Sequence, residues 1–141
     1  MKKILIVTAN YYKDISSLLI NSAKIKLKKR KVQFKIIKVP GVFEIPVTIS
    51  KNIKKYDGFL ALGCVIKGQT PHFDFISSAT TNAIMSLSIE SKKPIGNGII
   101  TCLNKKQAIE RSSLKTKTSK TNKGLEGAKA VISVLNNEPS T

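Results

Sequence analysis

The chain has 141 residues, 41% of them hydrophobic, a size that suits one domain able to bury its own core without metal or disulfide support. Its 25 Lys and Arg against 8 Asp and Glu give a formal charge of +17, which attracts polyanions nonspecifically but names no partner. No uncharged apolar run approaches the ~20 residues of a membrane span, and no zinc-finger spacing or aromatic-rich RNA-binding signature accompanies the lysines, so neither a membrane nor a specific nucleic acid is expected as a partner.

Ile4 to Ala9 is a short β-rich run that reads as a first strand. The apolar part is too short, and the Asn-Tyr-Tyr-Lys-Asp that follows too unlike a cleavage site, for a signal peptide, so a cytoplasmic protein is expected. Ile15, Leu18, Leu19, Ser22 and Ile25 mark one face of a helix that ends near the basic cluster Lys24 to Lys31. Val32, Phe34, Ile36 and Ile37 suggest a second strand, closed by Val39-Pro40-Gly41, and a shorter helix is expected from Glu44 to Lys55. Pro46 falls in its first turn, where a missing N–H costs little.

Phe59 to Ile66 is an uncharged apolar run with one Gly, the pattern of a strand buried on both faces. It stops at Lys67-Gly68-Gln69, a short turn, and a long helix follows to about Ser91. Thr70 reads as its N-cap, Pro71 as its first residue and Asp74 as an acid in its first turn; Ile76, Ala79, Ala83 and Leu87 form a stripe expected to face the sheet. Pro94 to Cys102 reads as a fourth strand interrupted by Gly96-Asn97-Gly98, and Asn104 to Ser112 as a short helix. Ser113 to Asn122 is polar and expected to be exposed and mobile, after which Leu125, Ala128, Ile132 and Leu135 recur at helical spacing.

Strands alternating with helices imply an α/β fold over residues 1–141 as a single domain: a three-layer α/β/α sandwich with a four-stranded, mainly parallel, flavodoxin-like sheet. Ligands in such sheets bind beyond the carboxyl ends of the strands, and the loops there bring Tyr11, Phe43, Glu44 and His72 towards one region. His72, the only histidine, is the side chain most suited to moving protons near neutral pH, and it stands beside a helix start and Lys67 that together suit a phosphate. Cys64 and Cys102 lie in apolar strands without metal-ligand spacing and read as buried free thiols, so no metal is expected. A basic nucleic-acid-binding domain and a receiver-like signalling domain share this pattern of elements, but the second lacks an acidic cluster after the first strand to hold magnesium.

Four stretches, Val39-Pro40-Gly41-Val42-Phe43-Glu44-Ile45-Pro46, Ala61 to Asp74, Gln107-Ala108-Ile109-Glu110-Arg111 and Asn122-Lys123-Gly124, resemble the 6,7-dimethyl-8-ribityllumazine synthase family, and the resemblance runs from about residue 3 to 137. It implies condensation of 5-amino-6-(D-ribitylamino)uracil with 3,4-dihydroxy-2-butanone 4-phosphate, with release of phosphate and water, in riboflavin synthesis. No cofactor is implied. Tyr11 matches the position that stacks on the pyrimidine, and Val42, Phe43 and Glu44 the loop that holds the ribityl chain. Cys64, Val65 and Ile66 match the strand end facing the pyrimidine; Gln69, Thr70 and Arg111 match the phosphate contacts, and His72 the proton donor. Asn97 stands where many members place a Phe that reaches into the neighbouring subunit's site, so one wall of the pocket is expected to be polar.

The resemblance also implies a homopentamer with active sites between subunits, which in many members closes further into a hollow shell. Ser112 to Thr121 is longer than the linking segment of shell formers and lacks Gly, and the chain begins directly at its first strand; a free pentamer is the expectation.

Overall fold

The computed structural model describes residues 2–115 and 122–137. Four strands, β1 (Lys3–Ala9), β2 (Gln33–Val39), β3 (Gly58–Ile66) and β4 (Ile95–Cys102), form one parallel sheet in the order β2-β1-β3-β4. Among the described residues five helices connect and cover them: α1 (Lys13–Lys29), α2 (Ile45–Lys51), α3 (His72–Ser91), α4 (Lys105–Glu110) and α5 (Lys123–Leu135).

The three layers follow from the two-residue period of the central strands. Ile4, Ile6, Leu60, Leu62 and Cys64 point to one face, where they pack with Leu19 and Leu27 of α1 and Val131 and Ile132 of α5. Leu5, Val7, Phe59, Ala61 and Val65 point to the other, against Ile45 and Ile49 of α2 and Ile84 of α3. β2 is an edge strand whose outward Lys35 and Lys38 are exposed, so part of the positive charge guards an open edge against pairing with another chain.

Several boundaries differ from expectation. The helix expected over Glu44 to Lys55 divides into a 3-10 turn, Val42–Glu44, and α2, which ends at Lys51. α3 begins at His72 without a side-chain cap, because Thr70 stays in the loop and the Pro71 carbonyl instead accepts from the Asp74 and Phe75 N–H groups. Its stripe does not lie flat on the sheet: Thr80 and Ile84 are its buried residues, Ala79 is exposed, and Phe75, Met85 and Ile89 face outward. In α1 the buried face turns through Ile15, Leu19, Ile20, Ala23 and Leu27, leaving Ile25 exposed. Ser113 and Asn122, placed by sequence in an exposed connection, are both buried; residues 116–121 lie outside the described residues.

β4 is continuous through Gly96-Asn97-Gly98. These glycines answer a packing demand: a Cβ on Gly96 would stand 2.2 Å from the Gly127 carbonyl oxygen, and one on Gly127 would stand 2.7 Å from Leu60 Cδ1. α5 therefore lies backbone to backbone on β4. Gly96→Ala should destabilise the fold by about 1–3 kcal/mol through overpacking; an unchanged urea midpoint would contradict this account of the α5 contact.

Candidate active site

The carboxyl ends of β1 and β3, the turn after β2 and the start of α3 enclose a cleft of about 410 Å³ lined by Tyr11, Tyr12, Gly41, Val42, Phe43, Cys64, Val65, Ile66, His72 and Ile76. Each element delivers its residues for a local reason. Strand β3 runs buried to Val65, so its last residues open onto the cleft only where the sheet ends. The Gly41 N–H donates to Glu44 Oε1 at 3.0 Å, and this bond folds the 3-10 turn so that Phe43 projects outward, 61% exposed. Tyr11 stands 75% exposed at the opposite rim, its ring edge-on to Tyr12 with centroids 4.9 Å apart. Two open aromatic walls and an apolar floor suit a flat, partly apolar ligand.

Tyr12 roots this rim in the core. Its ring packs on the α1–α5 core cluster, and Lys105 Nζ lies 5.8 Å from the ring centroid while pairing with Asp14 Oδ2 at 2.8 Å. Burial, followed by the nearby Cys64 and Tyr11, raises the Tyr12 pKa, so the phenol stays protonated. The hydrogen bond from Lys105 lowers the pKa of the exposed Asp14 carboxyl.

A second, smaller cavity of about 140 Å³ shares Val42 and Val65 with the cleft and lies between α3 and β4. Its walls are polar: Ser77, Thr80 and Thr81 from α3, Asn97 and Thr101 from β4, and two cations, Arg111 and Lys123. Ser77 Oγ and Thr80 Oγ1 are buried without a hydrogen-bond partner among the described residues. Asn97 Oδ1 accepts from the Ile99 N–H at 3.0 Å on the free edge of β4, and the Arg111 guanidinium donates through Nη1 to the Gln107 carbonyl at 3.3 Å.

The residues singled out from sequence thus divide. Tyr11, Val42, Phe43, Cys64, Val65, Ile66 and His72 meet in the cleft; Asn97 and Arg111 line the other cavity; Glu44, Gln69 and Thr70 line neither, the last two being exposed in the loop before α3. Sequence reasoning did not place Ile76 or Lys123 at these walls. Ile76 lies four residues after His72 on the same helical face, and Lys123 belongs to the quoted Asn-Lys-Gly element, so both signals were present. Among the described residues no group of three or more His, Cys, Asp or Glu side chains is arranged to hold a metal ion, and no helix is long and apolar enough to cross a membrane.

Cys64 borders the cleft as a neutral wall. Burial first, then the adjacent Cys102 thiol, pushes its pKa up to about 12. The folded chain thus holds this proton more tightly than the unfolded chain. The resulting stability is complete below the unfolded thiol pKa and is lost as pH rises from there towards 12. Alkylation of Cys64 at pH 8 should be on the order of 10²-fold or more slower than that of free cysteine. Labelling at the free-thiol rate would overturn this assignment.

Residues 1–138 match the family model for 6,7-dimethyl-8-ribityllumazine synthase. Among curated relatives bearing that name, the protein of Bartonella henselae is 41% identical over 136 residues, covering 94% of this chain and 85% of its own. That of Afipia carboxidovorans is 39% identical over 140 residues, covering 94% and 83%, and that of Zymomonas mobilis is 38% identical with 96% of each chain covered. On the match of nearly its whole length, the chain belongs to the 6,7-dimethyl-8-ribityllumazine synthase family.

Proposed function

We propose that this chain condenses 5-amino-6-(D-ribitylamino)uracil with 3,4-dihydroxy-2-butanone 4-phosphate to 6,7-dimethyl-8-ribityllumazine, releasing phosphate and water. The observation that carries this reading is the single cleft in which Tyr11, Phe43, the end of β3 and His72 meet, in a chain of this family. Tyr11 stacks on the pyrimidine, the backbone at Cys64, Val65 and Ile66 meets its polar edge, and the Val42-Phe43-Glu44 turn receives the ribityl chain. Glu44 Oε1 is engaged with the Gly41 N–H, so the other carboxylate oxygen is the acceptor available to a hydroxyl.

Chemistry then requires alignment and proton transfer. The pyrimidine amine attacks the ketone and expels water to give an imine, phosphate is eliminated, and the ribitylamino nitrogen closes the ring on the remaining carbonyl with loss of a second water. His72 at the start of α3 serves as proton donor, and Gln69, Thr70 and Arg111 bind the phosphate, Arg111 with charge-assisted contacts. His72→Ala should slow turnover ~10²-fold, the low end for a positioned acid, since proximity of the two reactants supplies much of the rate. The assay is lumazine absorbance with phosphate release on mixing both substrates; wild-type turnover in the variant would remove His72 from the mechanism, and no turnover in the parent protein would remove the reading itself.

The assembly we propose is a pentamer in which each cleft is completed by a neighbour. Two features support it. The outward face of α3 leaves Phe75, Met85 and Ile89 at least 60% exposed, an apolar surface of the kind that subunit contacts bury. Arg111 and Asn97 line a cavity other than the one holding His72, which is the arrangement expected if one subunit presents them to the next. The Gly-free stretch from Ser112 to Thr121 argues against shell closure. Light scattering should report about five times the 15.4 kDa chain mass. An active monomer or a sixty-subunit particle would refute the free pentamer.

A further inference from the structure

A buried polar cluster ties the end of α4 and the start of α5 to α1, and the tie includes the backbone on either side of Arg111's segment. Ser22, Ser112 and Asn122 are all buried, at most 1% exposed. Asn122 Oδ1 accepts from the Leu125 N–H at 3.0 Å and so caps α5. That contact fixes which way the amide faces. Its Nδ2 then donates to Ser22 Oγ at 2.9 Å and to the Ser112 carbonyl at 3.0 Å. Ser22 Oγ, accepting from Asn122, has its own proton for the carbonyl of Leu18 at 2.9 Å or of Ser112 at 3.1 Å. Beside this cluster the Lys123 N–H donates to the Arg111 carbonyl at 2.7 Å. Close approach is built in, since a Cβ on Gly124 would stand 2.6 Å from the Leu19 carbonyl oxygen of α1.

Capping α5 needs only one acceptor, and a serine supplies that. The remaining bonds of Asn122 join positions 112 and 122 to each other and to α1, so the last turn of α4 is held whatever path the chain takes between them. Arg111 is the residue before the pinned carbonyl, and its guanidinium already leans back on Gln107 at 3.3 Å. We infer that Asn122, acting with Ser22 and Ser112, is a positioning residue for Arg111, fixing where the guanidinium is presented to the phosphate of the four-carbon substrate. The inference rests on the reading of Arg111 as a phosphate contact.

Its test uses the full chain and four variants: Asn122→Ser, which keeps the α5 cap and loses the tie without adding charge, Ser22→Ala, Arg111→Ala, and the pair Asn122→Ser with Arg111→Ala. KM for each substrate, kcat and thermal unfolding are measured for all. Asn122→Ser should raise KM for the butanone phosphate about fivefold, the size of a lost buried hydrogen bond, and leave KM for the pyrimidine within about twofold. In the paired variant the phosphate KM should equal that of Arg111→Ala alone, because a misplaced guanidinium has no further effect once the guanidinium is gone. Additive effects in the pair, or equal rises in both KM values, would show a merely structural asparagine and overturn the proposal. If Arg111→Ala raises the phosphate KM while Asn122→Ser and Ser22→Ala do not, the positioning role falls and the Arg111 reading stands. An unchanged KM in Arg111→Ala removes both. Should Asn122→Ser not fold, Ser22→Ala decides by the same comparison.

Discussion

Burial of β3 on both faces is the constraint from which the rest of this molecule follows. Phe59, Leu60, Ala61 and Leu62 are fully buried, two against α2 and α3 and two against α1 and α5, so both helical layers depend on one strand for their contact surface. A strand so enclosed has no side chain free to touch a ligand until the sheet ends. Where β3 does end, Cys64, Val65 and Ile66 meet the cleft, and the chain passes through an exposed loop into α3 and His72. The fold therefore gathers the lining of this cleft, His72 among it, at one place on its surface.

The same burial explains the unequal treatment of the two helical layers. α1 and α5 are pressed onto the sheet and onto each other, with Gly124 and Gly127 permitting backbone contact at α1 and β4. α3 touches the sheet along a narrower line and keeps large apolar side chains in the open. One layer closes the core, and the other leaves Phe75, Met85 and Ile89 exposed. The polar cavity between α3 and β4 lies along that less covered side, together with the cations Arg111 and Lys123.

Most of the architecture was legible because the signals were local. The uncharged run from Phe59 to Ile66 has the length and composition of an enclosed strand, and Leu125, Ala128 and Ile132 recur at the spacing of a helix face. What sequence misjudged depended on distant partners. Gly96 and Gly98 read as a break in β4 because what each makes room for lies elsewhere in the chain: the Gly127 carbonyl for Gly96, thirty-one positions on, and Leu62 Cδ2 for Gly98. Asn122 read as loop because its burial requires α1, whose Ser22 lies 100 positions away. At the site, the aromatic rim and His72 were legible from loop position alone. The polar company of Arg111 was not, since Ser77, Thr80 and Thr81 look like ordinary helix residues until α3 is laid beside β4.

In the assembly proposed above, a working pocket draws His72 from one subunit and Arg111 from the next. Coexpression of His72→Ala with Arg111→Ala tests it directly. At equal mixing, roughly a quarter of the contacts between neighbouring subunits would bring together an intact His72 and an intact Arg111. Mixed pentamers should regain activity above the sum of the two variants assayed apart. Mixed pentamers with no more than that sum would place both residues in the pocket of a single chain and contradict it.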